Sequence, residues 1–168
     1  MRRQRLKVAK PYLKGRILNV GCGSGALPEL VDAGHYLGVE IDEVSLQQAQ
    51  LRFPAHPFVS DLPEFTYKFD TIISLAVIEH VSDPAEFLRK LTVHLVDSDS
   101  ACIAVTTTHP AVDWVHDVGF AIGLFSKHAR EEHEDLLDRS KLEITAKQAG
   151  LELLTYKRFL SGANHIAV

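Results

Sequence analysis

The first residues of this chain whose types and spacing could do chemistry are Val20-Gly21-Cys22-Gly23-Ser24-Gly25-Ala26. Glycine turns sharply and puts no side chain between the backbone amides and a ligand, so such a loop can hold a polar group by its N–H donors. No Gly-Lys-Ser/Thr closes it, which argues against a nucleoside-triphosphate phosphate loop. The spacing Gly21, Gly23, Ala26 also satisfies the dinucleotide fingerprint GxGxxG/A, so the loop alone leaves two cofactor classes open. Glu40 stands nineteen positions after Gly21, where a carboxylate can accept from both hydroxyls of a ribose. Asp42, just ahead of a helix-like stretch, is suited to cap that helix. Asp61 can accept from an adenine amino group while Leu62 packs on the ring; its competing reading is a turn residue before Pro63.

These residues need a scaffold that brings them to one edge. Ile17-Leu18-Asn19-Val20 reads as a buried strand that breaks at Gly21, and Ser24 to Ala33 then has helical spacing, with Gly34 as its stop. Tyr36 to Val39 is a second strand, Val44 to Arg52 a second helix, Pro57 to Ser60 a third strand, and Phe69 to Leu75 a fourth with Ile72-Ile73 at its centre. Asp83 and Pro84 mark the start of a helix reaching Val96; Ala101 to Thr107 is a fifth strand, and residues 139–149 a helix ending at Gly150. Leu151 to Phe159 and Asn164 to Val168 have no helix between them, so they should pair antiparallel as an edge hairpin. Strands alternating with helices predict an α/β fold, a mostly parallel sheet with helices on both faces. Residues 109–138 exceed an ordinary connection, and an insertion at the carboxyl ends of the strands, where open α/β sheets bind ligands, is expected there. Within it Trp114, Phe120 and Phe125 either cover an acceptor or pack on the sheet edge.

At 168 residues the chain is one domain, 1–168, and its composition of 46% hydrophobic and 24% charged residues excludes disorder and fibrous structure. Cys22 and Cys102 are too few for a disulfide scaffold and fit a reducing, cytoplasmic setting. No apolar run approaches the roughly 20 residues of a membrane helix. Seven of the 18 basic residues precede the first acid, Glu29, and form a basic arm over residues 1–14 and just beyond; 11 basic against 22 acidic residues remain. So acidic a body is a poor general nucleic-acid binder, though the arm can meet an anionic substrate.

The string Phe69-Asp70-Thr71-Ile72-Ile73-Ser74-Leu75-Ala76-Val77-Ile78-Glu79-His80-Val81 completes a pattern. With the glycine loop and the acids ending strands two and three, the chain resembles the class I S-adenosylmethionine-dependent methyltransferases from about Gly15 to Pro110. The nearest likeness is to the small-molecule branch that includes the ubiquinone-biosynthesis O-methyltransferases and sugar or secondary-metabolite enzymes. The resemblance implies a three-layer, Rossmann-like sheet of seven strands with an antiparallel terminal hairpin. It implies S-adenosylmethionine as cofactor, S-adenosylhomocysteine as product and a small-molecule acceptor. Gly21, Gly23 and Gly25, with Cys22 between them, would line the methionine part; Glu40 and the adjoining Ile41 would hold the ribose, Asp61 and Leu62 the adenine, and Leu75 with Ala76 would close the site by backbone contact.

Two positions depart from that pattern. Asn19 stands where the family usually has an acid facing the cofactor's amino end. Ala76 stands where close relatives often have a glutamate three residues before Glu79, which argues against the divalent metal that some relatives hold there. A base is needed only for a hydroxyl or carbon acid, and His80 and His109 are the candidates, each equally readable as a structural histidine. His116, His128 and His133 match no metal signature. With few residues before the first strand, the acceptor side is expected to be open, or completed by a second copy or another protein. A nicotinamide-dependent oxidoreductase remains open through the GxGxxA spacing, and a non-catalytic partner protein of the same fold remains a third reading.

Overall fold

A strand buried on both faces needs apolar side chains at consecutive positions, and the chain supplies such runs in order. They form β1 (Ile17–Val20), β2 (Tyr36–Val39), β3 (Phe58–Val59), β4 (Thr71–Leu75), β5 (Cys102–Thr108), β6 (Tyr156–Phe159) and β7 (Asn164–Ala167). The computed structural model describes residues 2–64, 66–108, 137–160, 162 and 164–168. One seven-stranded sheet has the order β3-β2-β1-β4-β5-β7-β6. The first five strands run parallel, and β7 lies antiparallel between β5 and β6. The mostly parallel sheet and its terminal hairpin are those the sequence led us to expect.

Among the described residues four α-helices, α1 (Arg2–Ala9), α2 (Glu43–Arg52), α3 (Pro84–Thr92) and α4 (Arg139–Gln148), flank the sheet. Alternate strand residues feed two cores. Leu18, Ile72, Ile103 and Val105 pack with Phe87, Leu88 and Leu91 of α3 and Leu142 of α4. Ile17, Ile73 and Ala104 point the other way, to Ala49 of α2 and to Leu6 of α1. Ile72 and Ile73 are both 0% exposed, one in each core. Burying a side chain of that size stabilises the fold by about 1.5–3 kcal/mol, so two consecutive isoleucines are satisfied only in a layer covered on both sides.

The helix starts follow their caps. Asp42 accepts from Ser45 N–H at 2.8 Å, Asp83 from Glu86 N–H at 2.8 Å and Asp138 from Lys141 N–H at 2.9 Å. α3 stops at Thr92, short of the expected Val96, because the next turn is drawn into the sheet: Phe69 N–H donates to His94 O and Val96 N–H to Phe69 O. The expected helix over Ser24 to Ala33 is absent. Two 3-10 turns, Leu27–Leu30 and Ala33–His35, take its place. A helix begun at Ser24 would meet Pro28 after its first turn, where proline lacks the needed N–H and clashes with the preceding turn, and one begun at Leu27 has little room before Gly34. The arm is not merely solvated: α1 buries Ala9 completely, and Leu6, Tyr12 and Leu13 pack against the second core. Of the expected 109–138 insertion, only Leu137 and Asp138 are among the described residues.

Candidate functional site

The glycine loop is built by the end of β2. Gly21 N–H and Cys22 N–H both donate to Val39 O, at 2.9 and 3.0 Å, which folds the chain back as β1 ends. Gly21 has φ +70°, and a Cβ on it would fall 2.3 Å from Val77 Cγ2, so any side chain there strains the backbone and displaces Val77. Gly23, at φ +54°, differs: a Cβ would have nothing within 4 Å. The loop therefore packs tightly at one glycine and opens a cradle at the next.

Glu40 ties this loop to β2. It is buried, 7% exposed, and Oε2 accepts from Gly23 N–H at 2.7 Å while Oε1 accepts from Ile41 and Asp42 N–H, each at 3.0 Å. A carboxylate has about four acceptor positions, and among the described residues three are used, two on Oε1 and one on Oε2. Sequence reasoning anticipated a carboxylate here but not that it also fastens the glycine loop. Beneath the loop Asn19, 3% exposed, donates from Nδ2 to the Tyr36 hydroxyl at 3.0 Å. Burial, reinforced by the negative charge of Glu40, pushes the Cys22 thiol from its ordinary 9.0 up to about 12. Cys22 is therefore a neutral packing residue and not a nucleophile.

The remaining positions lie along the carboxyl edge of the parallel strands. Glu40 N–H donates to Val59 O at 3.0 Å, so β3 delivers Asp61 and Leu62 to the same edge; both are exposed, and Asp61 accepts from the Ser60 hydroxyl at 2.7 Å. Leu75 ends β4, and Ala76 follows at φ +60°, its N–H shared between Thr106 O at 3.0 Å and Thr106 Oγ1 at 3.1 Å. A left-handed alanine costs on the order of 1 kcal/mol, and backbone strain of this kind collects at ligand sites. The chain then makes the 3-10 turn Ile78–His80, with Ile78 1% exposed and His80 half-buried, its N–H on Val77 O at 2.8 Å. His109, the other candidate base, lies outside the described residues.

Sequence reading missed the contribution of α1. Arg2 Nη2 donates to Ser24 Oγ in the glycine loop at 3.3 Å. One turn later Arg5 is in electrostatic contact with Glu79; burial pulls its guanidinium below the ordinary value, and Glu79 partly offsets this. Arg2, Arg5, Leu6 and Ala9 follow helical spacing, a signal masked by the charge of the segment. Among the described residues no three His, Cys, Asp or Glu side chains group closely enough for a metal ion, and no described helix is long and apolar enough to cross a membrane.

Comparison with known proteins puts this geometry in context. A family described as "Methyltransferase domain" matches residues 1–156. A mitochondrial ubiquinone biosynthesis O-methyltransferase of Arabidopsis thaliana is 31% identical over 108 residues, 57% of this chain and 34% of that protein. A ubiquinone biosynthesis O-methyltransferase of Neisseria meningitidis is 27% identical over 157 residues, covering 84% of this chain and 66% of that one. The chain thus spans about two thirds or less of the length of these curated relatives. In fold it is similar to magnesium protoporphyrin IX methyltransferase of Synechocystis, solved with bound S-adenosylhomocysteine: TM-score 0.68, 18% identity, covering 98% of this chain and 80% of that one.

Proposed function

Because the chain belongs to the class I S-adenosylmethionine-dependent methyltransferases, we propose that it transfers a methyl group from that cofactor to a small-molecule acceptor. The observation that carries this reading is the 2.7 Å bond from Gly23 N–H to Glu40 Oε2, which joins the glycine loop to the carboxylate at the end of the neighbouring parallel strand, the two parts an adenosyl group would need. The residues present fit the group: the open cradle at Gly23 leaves room for it, and among the described residues Glu40 uses three of its about four acceptor positions.

Gly21, Cys22, Gly23 and Gly25 would then face the methionine part by their backbone, with Asn19 beneath. Glu40 and Ile41 would hold the ribose, and Asp61 with Leu62 the adenine. Leu75 and the left-handed Ala76 would close the site. When bound, S-adenosylmethionine supplies an activated sulfonium methyl that a nucleophile takes by in-line displacement, leaving S-adenosylhomocysteine. The protein's work is therefore alignment and exclusion of water rather than bond activation. His80, half-buried beyond the end of β4, would be the base that takes a proton from a hydroxyl acceptor. The O-methyltransferase activity named for the curated relatives supports an oxygen acceptor. The basic outer face of α1 favours an anionic one.

Transfer of tritium from methyl-labelled cofactor tests the proposal. The chain should label members of a panel of small phenols and carboxylate-bearing alcohols, with matching release of S-adenosylhomocysteine. A chain that binds the cofactor and labels no acceptor in such a panel would instead be a non-catalytic member of the fold.

A further inference from the structure

Asn164 is 1% exposed, and its Oδ1 is sealed from solvent with no hydrogen-bond donor on it. A buried polar atom left unpaired destabilises a fold and asks for an explanation. Its place in the sheet supplies one. Asn164 begins β7, opposite Thr108 at the end of β5 and Phe159 at the end of β6. It therefore stands on the carboxyl edge of the parallel strands, the edge that carries Leu75 and Ala76. Side chains alternate along a strand, and directly opposed residues share a face. Asn164 thus shares a face with Phe159 and with Thr106, two residues before its partner Thr108. Thr106 takes the N–H of left-handed Ala76 on both its carbonyl and its hydroxyl. Half-buried Phe159 is followed by Leu160 at φ +52°, an outlier for a bulky side chain. Among the described residues Ala76 and Leu160 are the non-glycine positions of positive φ. They follow β4 and β6, and β5 and β7, with Asn164, lie between those strands.

We propose that Asn164 recognises a hydroxyl group of the methyl acceptor, at the end of that molecule away from the methylated atom, and that Phe159 packs on the acceptor's ring. The inference deepens the methyltransferase reading and rests on it. A hydroxyl both gives and takes a hydrogen bond, so it can satisfy a carboxamide at either end. Strand spacing sets the length of the acceptor. β7 lies two strands from β4, about 10 Å away at roughly 4.8 Å per strand. A methyl donor closed in by Leu75 and Ala76, and a hydroxyl held at Asn164, therefore meet opposite ends of an aromatic diol about two rings long. The amide is covered, so a neighbouring side chain must move to admit the acceptor. The gain is discrimination, because a buried group built to meet a hydroxyl rejects an analogue lacking it far more strongly than an apolar pocket does.

Calorimetry with paired probes tests it, in protein saturated with S-adenosylhomocysteine. The probes are 2,6-dihydroxynaphthalene and 4,4′-dihydroxybiphenyl, each set against the analogue in which one hydroxyl is replaced by methyl. Wild type should bind at least one diol about 10- to 100-fold more tightly than its methyl analogue. Asn164→Leu should bind the two within about twofold of each other, and S-adenosylhomocysteine as wild type does. It should also melt no lower than wild type, since it removes an unpaired amide and no hydrogen bond. A fall in Tm of more than about 4 °C would make Asn164 a structural residue and overturn the proposal. So would a preference for the diol kept in Asn164→Leu, equal binding of both pairs by wild type, or no binding of either diol. If Asn164→Leu does not fold, the same comparisons are read on Asn164→Ala. Wild-type protein that does not bind S-adenosylhomocysteine refutes the methyltransferase reading itself, before any acceptor is added.

Discussion

Replacing Glu40 separates its two duties, fastening the loop and meeting a ribose. Glu40→Ala leaves Gly23, Ile41 and Asp42 N–H without their carboxylate partner. Hydrogen bonds to a charged group contribute about 1.5–3 kcal/mol each. All three residues are only half-buried, so water recovers part of the loss, and the expected destabilisation is about 2–4 kcal/mol. Glu40→Gln is milder. Its amide oxygen can serve either the Ile41 and Asp42 donors or Gly23, while its NH2 then opposes the other set, for a loss of about 1–2 kcal/mol. Urea unfolding measures both, and an unchanged m-value would assign the change to stability rather than to a more open state. Glu40→Gln, still folded at low temperature, should bind S-adenosylhomocysteine at least about tenfold more weakly. A Glu40→Ala protein within about 0.5 kcal/mol of wild type would refute the reasoning, since surface substitutions that break nothing fall in that range.

Three further substitutions probe the same edge. Gly21→Ala sets a Cβ 2.3 Å from Val77 Cγ2 at φ +70°, and should cost about 2–3 kcal/mol in urea unfolding; adding Val77→Ala should restore the steric part but not the backbone strain. Ala76→Gly relieves a left-handed backbone at φ +60° and should raise stability by up to about 1 kcal/mol, read as a higher Tm, because the gain exceeds the entropy cost of glycine. The Cys22 thiol titrates higher folded than unfolded, at about 12 against 9.0. Its contribution is therefore complete below pH 9 and lost as pH rises, by up to about 1.4 kcal/mol per unit. Unfolding curves between pH 9 and 10 should show that slope reduced in Cys22→Ala, and identical slopes would contradict the assigned burial.

What could be read from the sequence follows from where the physics is local. Ile17-Leu18 and Ile72-Ile73 announce strands covered on both faces, and Asp42 and Asp83 announce helix starts, because spacing along the chain decides both. Glu40 was legible by its distance from Gly21. Its bond to Gly23 was not, since that depends on how two parallel strand ends meet. Pro28 sits within an apolar rhythm that looks helical, and its missing N–H and ring clash, with Gly34 close behind, replace a helix by two tight turns. The packing of α1 is hidden behind its charge: Leu6 and Ala9, with Tyr12 and Leu13 just beyond the helix, pack inward while arginines and lysines dominate the composition. The approach of Arg5 to Glu79 joins the first helix to the turn after β4, a relation that no local pattern encodes.

The central claim is that the glycine loop and Glu40 form an adenosyl site for a methyl donor. Calorimetric titration of S-adenosylmethionine, S-adenosylhomocysteine and NADH into the purified chain tests it most directly. The account predicts saturable binding of both sulfur compounds near one per chain, lost or much weakened in Glu40→Gln, and no heat from NADH. Binding of NADH with silence from both sulfur compounds would contradict it and assign the loop to a dinucleotide.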